Sequence, residues 1–221
     1  MIIAGIVGQN GINETSNLVN SILSSTGRKV SIVDSKNLVG LDAKRIKNYI
    51  AELGKNNVNI MVLKINVVDL EEQFFDGLRF DIIIYTDNAR DPQETHVKSD
   101  GNLMGKIMSM LDDKGVIIVN EDDGELMSFL DGVKQHIVTY GFNSKASITT
   151  SSVGDTFFED KFMCSLQKTI SAKNGLLIEP QEYIIKVDSK ETDSYNVLAA
   201  ASFAIVNGID LNSLVPAGLK S

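Results

Sequence analysis

Short β-branched segments alternate with longer helical patterns in the first two-thirds of the chain, and this alternation limits the fold more than any other feature. Helical periodicity is found at about residues 14–26, 42–54, 67–77 and 99–112. The predicted strands between them are IIAGIV, KVSIVD, VNIMVLKI, FDIIIYT and GVIIVN. Parallel strands joined by helices are buried on both faces, and such strands are apolar along their whole length. The pattern predicts an α/β fold, a mainly parallel sheet with helices on both faces.

The pattern changes between about residues 134 and 190, where no long helix separates the apolar runs. Those runs are HIVTYGF, ASITTSSV, TFFEDKFMCSL and YIIKVD, with turn residues between them. Such spacing predicts a small antiparallel β subsheet appended to the parallel one. A helix is predicted at about 194–207, capped by Asp193 or Ser194, and a shorter one near Asp210. No linker interrupts this order, so residues 1–221 are interpreted as one domain.

Composition excludes several classes of protein. The 29 acidic and 21 basic residues give a net charge of -8, which argues against a nucleic-acid partner because phosphate backbones bind clustered Lys and Arg. The most apolar stretch, NVLAAASFAIVNGI, is too short for a membrane span. Cys164 is the only cysteine, so no internal disulfide can form and a reducing cytoplasmic compartment is expected. With only His96 and His136 beside it, a Cys/His zinc site has too few ligands.

A glycine-rich segment, GIVGQNGINE, lies where the first strand should turn into the first helix. Gly5, Gly8 and Gly11 permit a tight turn and a close approach of an anion to backbone N–H groups. Their spacing matches neither the dinucleotide fingerprint nor the lysine-containing phosphate loop. Two alternatives therefore stay open: a turn with no ligand, and a dinucleotide-binding domain in which Asp34, at the end of the second strand, would bind a ribose.

Five separated segments together resemble one known family. They are GIVGQNGINE, DGLRFDIIIYTDNARD, GVIIVNEDDGE, VTYGF and YNVLAAASFAIVNGIDLNSL, in this order. In sequence and spacing they are similar to the central ATP-binding domain of the Mur ligases, the bacterial enzymes that add amino acids to peptidoglycan precursors. The family loop is approximately G-x-x-G-T-N-G-K-T-T, which this chain matches at four residues: Gly5, Gly8, Asn10 and Gly11.

The resemblance implies a fold, a cofactor and an arrangement of domains. The fold would be the P-loop-like central domain of these ligases, and the nucleotide would be ATP. The family activates a carboxylate as an acyl phosphate, which an amine then attacks. Because the resemblance covers nearly the whole chain, the N-terminal and C-terminal ligase domains are expected to be absent. The residues that it assigns to nucleotide binding are Gly8, Asn10, Gly11, Asn120, Asp122 and Asn196. For Asn120, Asp122 and Asn196 a structural role, as turn former or helix cap, stays open as the alternative.

The chain departs from the family where the phosphates and the metal would be held. Ile12 and Asn13 replace the loop lysine and hydroxyl, and Lys64 replaces a magnesium-binding glutamate. Pro92 stands where a histidine ligand would be, although His96 matches the second histidine of that motif. An ammonium cannot bind a hard divalent cation. We therefore predict no metal site and no magnesium, and ATP stays the only cofactor that the resemblance suggests.

These departures predict a pseudoenzyme: a non-catalytic binding or scaffold protein of cell-wall precursor synthesis. The first alternative is an ATP-dependent amide ligase in which Lys64 acts from a new position. Lys106 matches the lysine that the family carbamylates, and the other interpretation of it is a solvated lysine on a helix. The second is the dinucleotide-binding domain. We also expect Glu14 to pair with Lys64 and fill the former phosphate-metal site. The expected partners are a second copy of the chain, as a homo-oligomer, or a cell-wall ligase.

Overall fold

The centre of the fold is a parallel β-sheet. The structure is a computed structural model that describes residues 1–71, 75, 77–86, 101–150, 157–158, 161–187 and 192–214. Parallel strands run in the spatial order β2-β3-β1-β4-β5-β6. Their bounds are β1 Ile2–Gly8, β2 Val30–Asp34, β3 Ile60–Asn66, β4 Phe80–Tyr85, β5 Leu111–Asn120 and β6 His136–Gly141.

Helices cover both faces of this sheet, which confirms the predicted α/β class. Helices α1 and α5 share one apolar core with the sheet, and α2, α3 and α4 share the other. Their bounds are α1 Ile12–Ser25, α2 Ala43–Lys55, α3 Gly101–Ser109, α4 Gly124–Phe129 and α5 Ser194–Val206. Short 3₁₀ helices lie at Ser35–Asn37, Val67–Glu71 and Leu211–Leu214. Among the described residues, no helix has both the length and the apolar character that a membrane span needs.

Antiparallel pairing begins later in the chain than the predicted start at about residue 134. Strand β6 pairs in parallel with β5, and the next strand, β7, pairs in parallel with β6. Strand β9 then pairs antiparallel with β7, β8 and β12, and β10 and β11 form a separate antiparallel pair. The bounds are β7 Ile148–Thr149, β8 Phe157–Phe158, β9 Lys161–Leu166, β10 Ile170–Ser171, β11 Leu177–Ile178 and β12 Gln181–Lys186. The prediction missed α4, the six-residue crossover that makes β6 parallel.

Two predicted helices differ from the structure. The predicted helix at 99–112 ends at Ser109, and β5 already begins at Leu111 opposite Phe80. The register then shifts through three exposed residues before Val116 pairs with Ile82. The predicted helix at 67–77 begins as the 3₁₀ helix Val67–Glu71, and the remainder falls mostly outside the described residues.

Helix α5 is buried on all sides from Tyr195 to Val206, as its mostly apolar sequence predicts. It packs against α1 and the sheet, and it shares that core with the buried thiol of Cys164. Burial raises the pKa of this thiol to about 12, so it remains protonated at neutral pH. One apolar core thus joins α5, the last long helix of the described chain, to α1, the first helix.

Shortening a side chain in α5 should destabilise the protein strongly. Leu198 is completely buried, so Leu198→Ala should lower the free energy of unfolding by about 3 kcal/mol through lost burial and a new cavity. The matched control is Leu177→Ala, because 69% of the Leu177 side chain is exposed and the change should cost less than about 0.5 kcal/mol. Urea denaturation measures both, and equal losses would contradict the packing described for α5.

Candidate functional site

The β1–α1 loop lies at the carboxyl end of β1, between Gly8 and Ile12. Gly8 ends β1, and Gly11 precedes α1 with φ of +72°, a left-handed conformation that favours glycine. A Cβ on Gly11 would lie 2.6 Å from Asn196 Oδ1, so the loop approaches the start of α5 closely. Thr86 Oγ1 donates to the carbonyl oxygen of Asn10 at 2.7 Å. The loop is thus held between the end of β4 and the start of α5.

The first turn of α1 directs one apolar and one polar side chain, Ile12 and Thr15, towards the protein interior. Ile12, at the position of the family's lysine, packs against the core that α1 and α5 share. Thr15 is fully buried, and its hydroxyl donates to Asn196 Oδ1 at 3.1 Å. No side chain accepts a capping hydrogen bond from the N–H groups of the first turn of α1.

Lys64 reaches this loop from the neighbouring strand. It lies directly opposite Asp34 in the parallel β2–β3 register, and its Nζ is 3.3 Å from Asp34 Oδ2. The same ammonium donates to Asn13 Oδ1 at 3.0 Å. The predicted partner, Glu14, forms no ion pair with Lys64 in the described part of the chain. The expectation of a Glu14–Lys64 pair is therefore wrong, because the strand register already gives Lys64 a closer carboxylate.

Both carboxylate oxygens of Asp34 have a partner in the protein. Oδ2 faces Lys64, and Oδ1 accepts a hydrogen bond from the backbone N–H of Lys36 at 3.1 Å, which caps the 3₁₀ helix after β2. In a dinucleotide site the corresponding acid accepts a hydrogen bond from the ribose 2′-hydroxyl, whereas both described contacts of Asp34 are to other residues of the protein. The contacts of Asp34 thus favour a structural role over the dinucleotide alternative.

A polar cavity of about 300 Å³ lies between the loop and the ends of β2 and β3. Its charged lining consists of two lysines and two acids: Lys36, Lys64, Glu14 and Asp34. A larger cavity of about 620 Å³ lies on the other side of the loop, between α1, the end of β12 and the start of α5. Asn10, Gly11 and Glu14 line both cavities, so the two spaces adjoin. Lys36 and the second cavity are features that the sequence interpretation missed.

Asp122 lies away from both cavities and links three segments of the chain. Its carboxylate accepts hydrogen bonds from the backbone N–H groups of Phe142 (2.7 Å) and Asn143 (2.8 Å). It also accepts one from the hydroxyl of Tyr195 at 2.8 Å. Asn120 is buried, and its Oδ1 accepts from the N–H of Asp122 at 3.0 Å. These contacts join the turn after β5, the end of β6 and the start of α5.

The structure brings only part of the predicted site together. Asn10, Gly11 and Asn196 meet at the loop, and Lys64 lies in the adjacent cavity. Gly8 shapes the turn from the end of β1, whereas Asn120 and Asp122 line neither cavity. Lys106 lies in the last turn of α3, whose core is on the opposite face of the sheet from α1. Pro92 and His96 lie outside the described residues.

The loop geometry fits a phosphate group better than a divalent cation. The helix that follows the left-handed Gly11 has no side-chain cap, and the N–H groups of an uncapped first turn attract an anion. Residue 64, which the resemblance assigns to a magnesium ligand, presents an ammonium instead. Within the part of the chain that the structure describes, no group of three or more His, Cys, Asp or Glu side chains is arranged to hold a metal ion.

The contact between the loop and α5 can be tested with two glycines of similar backbone conformation. Gly27 has φ of +75° and open space around its Cβ position, so Gly27→Ala should cost only the left-handed strain, about 1 kcal/mol. Gly11→Ala should cost at least about 1 kcal/mol more, because the new methyl group meets Asn196. Urea denaturation gives both values, and equal costs would mean that the loop does not press against α5.

The hydrogen bonds of Asp122 predict a structural role. Asp122→Ala should lower the free energy of unfolding by about 1 kcal/mol, since water replaces only part of the lost acceptors at this exposed position. Asp131→Ala, at an exposed acid with the same charge, should change stability by less than about 0.5 kcal/mol. Thermal denaturation of both variants checks this. An Asp122→Ala protein as stable as the control would contradict the role.

Sequence comparisons agree with this architecture. A family model described as the Mur ligase middle domain matches residues 6–204. The UDP-N-acetylmuramoyl-L-alanyl-D-glutamate--2,6-diaminopimelate ligase of Bacillus cereus is 21% identical over 233 residues, which cover 96% of this chain and 45% of that protein. The enzyme of the same description from Chlamydia trachomatis is 24% identical over 163 residues, 65% of this chain and 32% of that protein. The chain thus spans less than half the length of these relatives.

Solved structures of such ligases share the fold. One structure of a UDP-N-acetylmuramoyl-L-alanyl-D-glutamate--2,6-diaminopimelate ligase has a TM-score of 0.67 at 18% identity, covering 97% of this chain and 45% of that one. A bifunctional folylpolyglutamate synthase/dihydrofolate synthase, solved with Mn, AMPPNP and L-glutamate, has a TM-score of 0.61 at 10% identity, covering 96% and 55%. Because the family model matches well over half of the residues, the chain belongs to the Mur ligase family, in which it corresponds to the middle domain.

Proposed function

We propose that this Mur ligase middle domain is a non-catalytic binding or scaffold protein related to cell-wall precursor synthesis. The observation that carries the proposal is the pair of contacts that the Lys64 ammonium makes. Its ammonium lies in the cavity beside the glycine loop, bound by Asp34 at 3.3 Å and by Asn13 at 3.0 Å. This is the position that the resemblance assigns to a magnesium ligand, and an internal ion pair now takes up the charges there.

The loop supports the same conclusion. Phosphoryl transfer depends on cations that neutralise the charge developing on the transferred group. Ile12 offers none, and its partly buried side chain packs against the core that α1 and α5 share. Glu14 adds a negative charge to the lining of the same cavity. Losing one well-placed charged donor typically lowers a rate about a hundredfold or more, and this loop lacks both the lysine and the hydroxyl.

The comparisons support the link to peptidoglycan precursors. The relatives are named as ligases that join 2,6-diaminopimelate to a UDP-N-acetylmuramoyl dipeptide, and this chain matches less than half of their length. A domain of this kind would act by association: with a second copy of itself as a homo-oligomer, or with a cell-wall ligase. We place this role in the cytoplasm, where the UDP-linked precursors named in those relatives would be available.

One observation favours a second function, an ATP-dependent amide ligase with a relocated lysine. The ammonium of Lys64 donates to Asn13, the residue that follows the position of the family's loop lysine. An ammonium needs only to reach the phosphates, and its flexible stem lets it approach them from another strand. In this alternative Asp34 would have to release Lys64 when the nucleotide binds.

Hydrolysis of ATP with magnesium distinguishes the two functions. We expect the purified chain to show no magnesium-dependent release of phosphate above background, because the loop supplies no positioned cation. Lys64→Gln should leave that background unchanged. Lys47→Gln, an exposed lysine on α2, is the matched control for the lost charge.

A different result would overturn the proposal. Magnesium-dependent turnover that falls at least about tenfold in Lys64→Gln, and not in Lys47→Gln, would contradict a non-catalytic domain and would give Lys64 a role in the turnover. Turnover that is equal in all three proteins would also contradict a non-catalytic domain, and it would exclude Lys64 from the chemistry.

A further inference from the structure

Strands β9 and β12 turn one face towards the core and the other away from it. Phe162, Cys164 and Leu166 of β9 and Tyr183 and Ile185 of β12 belong to the core that α1 and α5 share. The side chains between them point to the opposite face, because side chains alternate along a strand. In the described part of the chain, no residue of β7, β9 or β12 joins the core that α2, α3 and α4 share. The described helices thus cover only the inner face of β9 and β12.

Strand β9 also projects beyond the parallel strands. Its last two residues, Ser165 and Leu166, pair with β7, and β7 pairs with the last two residues of β6. Because β9 runs antiparallel to β7, its earlier residues lie further out than the carboxyl end of β6, and β12 accompanies them. The outer face of β9 and β12 is therefore accessible to a second protein beyond the helices of the parallel sheet.

The outer face consists of three rows of paired side chains. The antiparallel register pairs Lys161 with Lys186, Met163 with Ile184 and Ser165 with Glu182. Half of the Met163 side chain is exposed, at 50%, and Ile184 is partly exposed. Glu182 and Lys186 are exposed at the two ends of β12. An apolar central row thus separates a basic row from an acidic end.

We propose that this outer face binds the same face of a second copy of the chain in a two-fold symmetric dimer. A two-fold axis along the central row stacks Met163 and Ile184 on their own counterparts and turns the basic row over the acidic end. Lys186 of each copy then lies over Glu182 of the other, so the dimer has two such ion pairs. This inference rests on the proposed function, because it supplies the surface for the self-association described there.

The two lysines of the basic row favour this arrangement over the other symmetric one. Lys161 and Lys186 are direct cross-strand neighbours on one face, and like charges in that position destabilise a sheet. A carboxylate from the second copy offsets this repulsion. A two-fold axis along the strands would instead place the basic row on its own counterpart and add to it. The charges therefore select the axis that runs along the rows.

The dimer should be weak because the face is small. Strands β9 and β12 contribute six residues each, which at ordinary strand rise and spacing form a flat area of about 200 Å² per copy. A standard protein interface buries about 800 Å² on each partner. We therefore expect a reversible dimer with a dissociation constant of about 0.1–1 mM, which is the range of transient contacts.

Sedimentation equilibrium of the chain at concentrations up to about 1 mM tests the ion pairs. Glu182→Lys and Lys186→Glu should each weaken dimerisation about tenfold, because each replaces both pairs with like charges. An equimolar mixture of these two variants should dimerise within about twofold of the unmodified chain, since one copy then supplies only lysines and the other only glutamates. Lys47→Glu and Glu52→Lys, at exposed positions of α2, carry the same charge changes and should each leave dimerisation within about twofold.

The same measurement tests the apolar row. The axis along this row brings the Met163 side chains of the two copies together, so Met163→Asp should weaken dimerisation at least about tenfold by opposing two carboxylates. Leu177→Asp is the matched control, because Leu177 is an exposed apolar residue, at 69%, of the separate β10–β11 sheet. It should stay within about twofold of the unmodified chain.

Four results would each overturn the inference: an unmodified chain that stays monomeric at about 1 mM, dimerisation that is unchanged in both charge variants, a mixture that dimerises no better than its components, or a purified cell-wall ligase that binds this face of a monomeric chain and is lost in Met163→Asp. Circular dichroism establishes that each variant is folded, and if a charge variant is not, Met163→Asp with its control decides. Hydrolysis of magnesium ATP would overturn the proposed function by a separate measurement, so the two failures can be told apart.

Discussion

The structure depends on the buried contact between the two ends of the described chain, where the first helix meets the last long one. Thr15 and Asn196 share a hydrogen bond across 181 positions of sequence, and Gly11 has no room for a side chain beside them. This contact fixes the loop after β1 against α5 and closes the core on that face of the sheet. Because β1 lies at the centre of the sheet, between β3 and β4, the loop is positioned by both neighbouring strands as well.

The carboxyl edge of the sheet brings charges from separate strands into one cavity. Parallel pairing sets Asp34 against Lys64, and the alternation of side chains along β3 turns Lys64 towards the face that α1 covers. An acid at residue 64 would leave this place with two adjacent carboxylates, which repel each other unless a cation joins them. A lysine there reverses the requirement, because the protein supplies the cation itself. One residue type thus decides whether the cavity demands a metal.

The sequence predicted the parts of the fold that long apolar periodicity determines. The first strands, α1 and the buried α5 follow from such patterns, and the glycines identified the loop. The prediction missed α4 because six residues carry too little periodicity, and β6 was therefore assigned to the antiparallel part. Lys64 was given the wrong partner because strand register cannot be deduced from a single sequence. Once the β2–β3 register is known, Asp34 is the residue opposite Lys64. Asp122 matched a ligand motif and was also a candidate turn former, but the sequence did not identify its three donors, the N–H groups of Phe142 and Asn143 and the hydroxyl of Tyr195.

The position of β1 and α5 also has a consequence for biosynthesis. During translation β1 emerges before β3 and β4, which it needs on its two sides, and α1 emerges before α5, which begins at residue 194. The nascent polypeptide must therefore carry the apolar stripe of α1 uncovered until α5 has been synthesised. Such delayed closure exposes apolar surface to other molecules while the residues between α1 and α5 are made, so a stop before α5 would yield a product prone to aggregation and degradation.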